Sequence, residues 1–195
     1  MIIPIFPLQS VLFPGGRLPL RIFETRYMDM AKVCLKEGTP FGLCLIEQGE
    51  EVGAVARPYP VGTLAHIADW DMPQLGVLNV TVQGGSRFRI SKQWAEPSNL
   101  LRAEVEAIPD APVQPIPGAY ARLVPLLRVI IEELGQNGPA TPHQFFDAGW
   151  LGMRYAEVLP IPGIAKQKLL EVEDSIDRLE IIYRFLESKD LLPGQ

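Results

Sequence analysis

The chain has few of the residues that metal binding and catalysis most often use. Its 195 residues include two cysteines and two histidines. Cys34 and Cys44 lack the Cys-x-x-Cys spacing of metal and redox sites, and no metal-ligand pattern surrounds His66 or His143. We therefore expect two buried, reduced thiols, no bound metal and no cofactor, and we assign no catalytic residue.

Positive charge and long apolar runs are also scarce. The 18 Lys and Arg residues are outnumbered by 23 Asp and Glu residues, which leaves a formal net charge of −5. A chain of this charge has no broad attraction to phosphate backbones or anionic lipid, so nucleic acid is a disfavoured partner. The sequence has neither a basic and apolar signal segment nor an apolar run of membrane-spanning length. We expect a cytoplasmic protein with no membrane segment.

Two sequence motifs of catalysis are missing or incomplete. No lysine follows a glycine, so the Gly-Lys-[Ser/Thr] end of a phosphate-binding loop is absent and we expect no dependence on nucleotide. The run from Gly84 to Phe88 is not a nucleophile elbow, because Phe88 stands where the elbow needs glycine. We interpret Gly84 and Gly85 as a tight hairpin turn and Gly62 as a strand entry, with positive φ expected at these glycines.

Proline is abundant instead, at 19 residues, which is about twice the usual share. Near the N-terminus prolines alternate with apolar residues, and this alternation predicts short extended pieces joined by corners. Apolar spacings of three and four predict one helix over 24–37, ended by Gly38. The apolar run 41–46 predicts a strand inside a sheet. Four later segments are apolar or alternating and of strand length, and they predict an antiparallel meander: 61–68, 76–83, 87–93 and 101–107.

The pattern changes at residues 109–118, which form a proline-rich linker. We therefore divide the chain into a β-rich part over 1–108 and a helical subdomain over 119–195, and we assign the fold to the α+β class. Three helices are predicted in the subdomain. The first along the chain carries the apolar stripe Leu123, Leu127, Ile130 and Leu134. The second starts at a capping box at Thr141, and the third starts at a cap at Asp174.

The N-terminal run 3–8, the turn at residues 13–15 and the Pro19-Leu20 pair follow one another in an order typical of a known family. With the segments 61–67 and 84–90, they resemble the substrate-binding domain at the N-terminus of the ATP-dependent Lon proteases. The resemblance implies a mostly antiparallel, PUA-like pseudo-barrel followed by a small helical subdomain. It also implies a module that binds unfolded or specific protein segments, as an adaptor in proteolysis, with no catalytic centre of its own.

The position of the C-terminus adds one expectation. The chain ends at Gln195, just past the third predicted helix. We therefore expect that the ATPase and protease modules of full-length Lon proteases, and the long helix that leads to them, are absent.

Five apolar side chains are candidates for binding a protein partner: Trp70, Met72, Phe145, Phe146 and Trp150. The first two fall at or beside a hairpin turn predicted at 72–76, which itself needs no large side chain. Asp69 and Asp71 are interpreted as flanking this turn rather than as a catalytic carboxylate pair. The other three candidates spread around the start of a predicted helix, so that one face is left over after core packing. The alternative is that all five complete the core between sheet and helices.

Two other functions stay open at this stage. A small hydrolase would need His66 or His143 beside a serine, cysteine or carboxylate in a cleft. An RNA-binding module would need a continuous basic groove with exposed aromatic side chains. Arg87 and Arg89 lie on one face of a predicted strand that offers no such aromatics, and we interpret this face as solvated.

Overall fold

The structure, a computed structural model, describes residues 1–135, 138–139 and 141–192. These residues form two compact units, Met1–Pro109 and Asp110–Gln195. Each unit has its own secondary structure and its own buried residues, and each is described by itself below.

The first unit is a mostly antiparallel sheet with one helix. Its elements are β1 (Ile2–Leu8), β2 (Arg17–Ile22), α1 (Thr25–Glu37), β3 (Phe41–Gln48), β4 (Arg57–Pro58), β5 (Val61–Gln74), β6 (Val77–Ala95) and β7 (Leu101–Ala107). The strand order is β1-β7-β6-β5-β3-β4, and β1 also pairs with β3. This extra pairing closes five strands into a ring, while β2 pairs with β6 outside it. The predicted α+β pseudo-barrel with one early helix is confirmed.

The helix α1 covers one side of this sheet with the apolar face that its periodicity predicted. Tyr27, Met30 and Cys34 are buried in a cluster with residues of the sheet. The ring of Tyr27 stacks on Phe6 of β1, with 4.0 Å between the ring centroids. Gly38 ends the helix in the left-handed conformation, at a φ of 66°. Cys34 and Cys44 are both buried free thiols, as predicted.

The predicted hairpin turn at Gly84 and Gly85 is wrong. Both residues lie in the middle of β6, a single strand of 19 residues. The turn between β5 and β6 comes earlier, at Leu75 and Gly76, where Gly76 has a φ of 83°. Gly62, Gly84 and Gly85 are not among the described residues with positive φ.

Gly84 is instead the place where the loop after β1 lies against the sheet. The amide of Gly15 donates to the Gly84 carbonyl at 2.8 Å, and the Gly84 amide donates to the Gly16 carbonyl at 2.9 Å. A Cβ atom at Gly84 would lie 2.2 Å from the carbonyl oxygen of Phe13. The residue is glycine because backbone from the loop occupies the space of a side chain.

The second unit is helical. It contains a short 3₁₀ turn (Gly118–Tyr120) and the helices α2 (Leu123–Leu134), α3 (Ala148–Val158), α4 (Gly163–Glu171) and α5 (Ser175–Ser188). In α2 the buried stripe is Leu123, Leu127 and Ile131, so the predicted stripe is displaced at its C-terminal end. None of the described helices has the length and apolar character that a membrane crossing requires.

The predicted helix start at Thr141 is also wrong. The bond between Thr141 and Pro142 is cis, and α3 begins at Ala148. The cap is Asp147, whose carboxylate accepts from the amides of Gly149 at 3.3 Å and Trp150 at 2.9 Å. Helix α4 was not predicted at all, because its apolar residues form two pairs, Ile164-Ala165 and Leu169-Leu170, which give only a weak helical pattern.

The predicted cap of α5 is confirmed and gives a stability test. The carboxylate of Asp174 accepts from the amides of Ile176 at 2.7 Å and Asp177 at 3.0 Å. We expect Asp174→Ala to lower the free energy of unfolding by about 1 kcal/mol, and Asp174→Ser, which keeps a capping oxygen, to recover most of that loss. Urea unfolding followed by circular dichroism measures both. Equal losses for alanine and serine would contradict a capping role.

Candidate functional site

The end of the β5–β6 hairpin carries three exposed apolar side chains, two of which the sequence had singled out. The exposed fractions are 55% for Trp70, 42% for Met72 and 97% for Leu75. Trp70 and Met72 lie in β5 and Leu75 lies in the turn, so the three side chains follow one short stretch of chain. We call Trp70, Met72 and Leu75 the hairpin cluster. Leu75 was not a sequence candidate, although its apolar character within a turn was the available signal.

Strand pairing explains why Trp70 is only partly covered. Trp70 is opposite Val80 in β6, and Val80 is opposite Leu20 in β2. Residues directly opposite each other in an antiparallel sheet point to the same face. Val80 on this face is buried and Leu20 is half-buried against the core cluster, whereas Trp70 reaches past it into solvent. Trp70 therefore continues the apolar face of the core beyond the residues that cover it.

A cavity of about 370 Å³ lies beside Trp70. Strands β2, β5 and β6 line it, and its polar residues include Arg21, Asp69 and Asp71. The side chain of Asp69 accepts a hydrogen bond from the backbone amide of Trp70 at 2.9 Å. Asp69 and Asp71 were predicted to flank the turn. They do not flank it directly, because the turn lies at Leu75 and Gly76. They alternate with Trp70 along the strand, so they point to the opposite face.

In the second unit the three aromatic candidates have different environments. Phe145 packs edge-on against Trp150, with 5.1 Å between ring centroids, and the guanidinium of Arg128 lies 3.9 Å from the Phe145 ring centroid. The ring of His143 contacts both of these aromatic rings. Phe146 points to solvent and is exposed. Of the three, Phe146 has the exposure that partner binding requires, whereas Phe145 and Trp150 are half-buried within the unit.

Among the described residues, neither histidine lies beside a serine, cysteine or carboxylate in the way that a hydrolase needs. His143 Nε2 lies 3.2 Å from the carbonyl oxygen of Pro139, and its ring packs against Phe145 and Trp150. His66 is exposed on β5, opposite Gln83 of β6. Within the described residues, no three or more His, Cys, Asp and Glu side chains are arranged to hold a metal ion.

Arg87 and Arg89 were predicted to share one solvated basic face of a strand, and the structure differs from this prediction. Arg89 is exposed, but Arg87 is buried and its carbonyl accepts from the amide of Ile108 at 3.0 Å. The next residue, Phe88, is buried as well. The prediction of a solvated face fails at Arg87 because the strand is covered on both faces at this point.

Comparison with known proteins identifies the family. The model of the ATP-dependent protease La (LON) substrate-binding domain matches residues 2–188. The chain belongs to this family. The crystal structure of a Lon N-terminal domain protein from Xanthomonas campestris is 30% identical, with a TM-score of 0.80, and the match covers 95% of this chain and 98% of that one.

Full-length Lon proteases are similar to the chain over part of their length. The Lon protease of Anaeromyxobacter dehalogenans is 28% identical over 199 residues, which cover 96% of this chain and 23% of that protein. Lon protease 2 of Myxococcus xanthus is 28% identical and is covered to 24%. The N-terminal domain of a Mycobacterium avium complex Lon protease is 18% identical with a TM-score of 0.65, so it shares the fold. The chain thus spans about a quarter of the length of the Lon proteases that it matches.

Proposed function

We propose that the chain is a cytoplasmic recognition module that binds unfolded or specific protein segments and acts as an adaptor in proteolysis. Membership of the Lon substrate-binding family supports a protein ligand. The observation that carries the proposal is the exposure of Trp70, Met72 and Leu75 together at the end of one hairpin.

The chemistry of the hairpin cluster suits an unfolded partner. An unfolded chain exposes apolar side chains that a folded protein buries, and contact with the hairpin cluster removes apolar surface of both from water. Aromatic residues such as Trp70 contribute disproportionately to binding because they bury a large, rigid surface. Asp69 and Asp71 place charge on the same strand, which protects an exposed edge from pairing with other sheets.

We propose no hydrolytic step and no nucleotide-dependent step for the chain. The match is to the substrate-binding part of Lon proteases, and the sequence has no Gly-Lys-[Ser/Thr] phosphate-binding motif. The affinity of the chain for a protein segment can then be measured at equilibrium, without ATP hydrolysis or any other reaction.

The proposal predicts binding of unfolded protein without ATP. Reduced and carboxymethylated lactalbumin, which stays unfolded in buffer, should bind saturably in isothermal titration calorimetry, with a negative heat-capacity change from apolar burial. Folded lactalbumin is the matched control and should bind far more weakly. ATP with Mg²⁺ should leave the affinity unchanged. Equal affinity for the folded and unfolded forms, or tight saturable binding of ATP, would contradict the proposal.

A further inference from the structure

A β-bulge lies just before the hairpin cluster. Ile67 of β5 is opposite Val82 of β6, and Asp69 is opposite the neighbouring residue, Thr81. Two steps along β5 therefore match one step along β6, so that Ala68 is an extra residue in β5. A bulge of this kind bends its strand and redirects the side chains that follow it.

The bulge places Trp70 on the apolar face of the hairpin. Side chains of a regular strand alternate between its two faces, so Ile67 and Trp70, three residues apart, would point to opposite faces. With the extra residue they share one face, because Ile67 is opposite Val82 and Trp70 is opposite Val80. Both valines are buried, and Ile67 packs half-buried against the same core cluster. Without the bulge, the pairing would shift by one residue and Trp70 would turn to the other face.

The polar residues of the segment lie on that other face. Asp71 is opposite Asn79, and Asn79 is opposite Arg21 of β2. All three residues line the cavity of about 370 Å³. A shift of one residue would exchange the faces, so that Asp69 and Asp71 replaced Trp70 on the apolar face. The bulge therefore separates the tryptophan from the two carboxylates.

The carboxylate of Asp69 holds the backbone directly after the bulge. Its Oδ1 accepts from the amide of Trp70 at 2.9 Å. Within the described residues, the pairing of β3 with β5 ends at Ala65, so β6 is the strand that pairs with β5 at Trp70. A hydrogen bond to a charged acceptor is stronger than one between neutral groups. The bond to Asp69 thus restricts the Trp70 backbone where the sheet holds it from one side.

We propose that Asp69 is a positioning residue of the hairpin cluster. The bulge at Ala68 selects the face of Trp70, and the Asp69 carboxylate fixes the Trp70 backbone, so that the indole is held toward a partner before binding. This arrangement raises the affinity because less conformational freedom is lost when the partner binds. The inference rests on the proposed function, since it assigns Asp69 a role in the binding surface that contains Trp70.

Two aspartates on the same strand face give a matched test. Asp69→Ala and Asp71→Ala each remove one exposed carboxylate from β5, and of the two it is Asp69 that accepts from the Trp70 amide. In calorimetric titration with carboxymethylated lactalbumin, we expect Asp69→Ala to weaken binding about three- to tenfold. Asp71→Ala should stay within about twofold of the wild type. Asp69→Asn, whose amide oxygen can accept the same hydrogen bond, should recover most of the affinity.

Fluorine NMR measures the order of Trp70 without any ligand. In protein labelled with 5-fluorotryptophan, the resonance of Trp70 is assigned by its loss in Trp70→Phe. It should broaden in Asp69→Ala, because the released side chain exchanges between conformations, and it should stay sharp in Asp69→Asn and Asp71→Ala. Circular dichroism of all variants should match that of the wild type.

The possible outcomes separate the two proposals. Wild-type affinity with an unchanged Trp70 resonance in Asp69→Ala overturns the positioning role and leaves the proposed function standing. Equal losses of affinity in Asp69→Ala and Asp71→Ala overturn it as well, because the effect would then be one of charge. If the wild-type protein does not bind carboxymethylated lactalbumin, the proposed function fails, and the role of Asp69 in binding fails with it.

Discussion

Replacing Trp70 by alanine and Met72 by serine in one protein is expected to weaken binding of unfolded polypeptide by about 1–2 kcal/mol. This loss corresponds to roughly 5- to 30-fold in the dissociation constant. The reason is that both side chains are largely exposed in the free protein, and a bound segment would cover them. Calorimetric titration with carboxymethylated lactalbumin gives the affinity, and urea unfolding of the same sample gives the stability.

A second exposed tryptophan on the sheet is the matched control. Trp94 lies near the C-terminal end of β6 and is also exposed, so Trp94→Ala removes the same side chain from another part of the sheet. Its affinity should stay at the wild-type value. The double variant itself should unfold within about 1 kcal/mol of the wild type, because exposed side chains contribute little to the core. A clearly destabilised double variant with unchanged affinity per folded molecule would show that Trp70 and Met72 serve packing instead.

Gly84→Ala is expected to give a large loss of stability, about 3 kcal/mol in the free energy of unfolding. The new Cβ would meet the carbonyl oxygen of Phe13 at 2.2 Å, and that oxygen belongs to backbone that cannot move alone. Relief of the clash requires the loop of residues 12–16 to shift. The two hydrogen bonds between Gly84 and this loop would then lengthen. Urea unfolding followed by circular dichroism measures the loss.

Alanine variants at two other glycines are the controls, because they show whether the loss at Gly84 comes from the steric clash or from replacing any glycine. A Cβ at Gly85 would lie 3.1 Å from the ring of the exposed residue His66, which can rotate away, so Gly85→Ala should cost far less. A Cβ at Gly118 meets nothing within 4 Å, and Gly118→Ala should stay within about 0.5 kcal/mol of the wild type. Similar losses at Gly84 and Gly85 would contradict the close approach of the loop at Gly84.

Much of the fold was predictable from the residues themselves. The spacing of Tyr27, Met30 and Cys34 predicted α1, and these residues are buried where the helix contacts the sheet. In β7 the buried residues alternate with outward-facing charged ones, as the sequence pattern predicted. The short N-terminal motifs led to the Lon substrate-binding family, which the comparison confirms.

The errors occurred where a local pattern has two physical meanings. A Gly-Gly pair between apolar segments is typical of a hairpin turn, but it also permits close approach of another chain segment. The structure has the second arrangement at Gly84, because the loop after β1 lies there. Similarly, Thr141 and Pro142 have the residue types of a helix start, but Asp147 caps the helix six residues later. Asp147 also accepts from the amide of Gln114 at 3.1 Å, a contact between residues far apart in the sequence.

The candidate surface was predictable in part. Trp70 and Met72 were chosen because large apolar side chains beside a turn are not needed for its geometry, and both are exposed in the structure. Their role in binding stays a prediction.

The sequence by itself determined the class, the family and most element types of this protein. These depend on side-chain periodicity, caps and short motifs, which act within a few residues of the chain. The tertiary structure decided the continuity of β6, the burial of Arg87 and the exposure of Leu75. These features depend on which distant segment occupies the space next to a residue, and that neighbour is set by the packing of the whole unit.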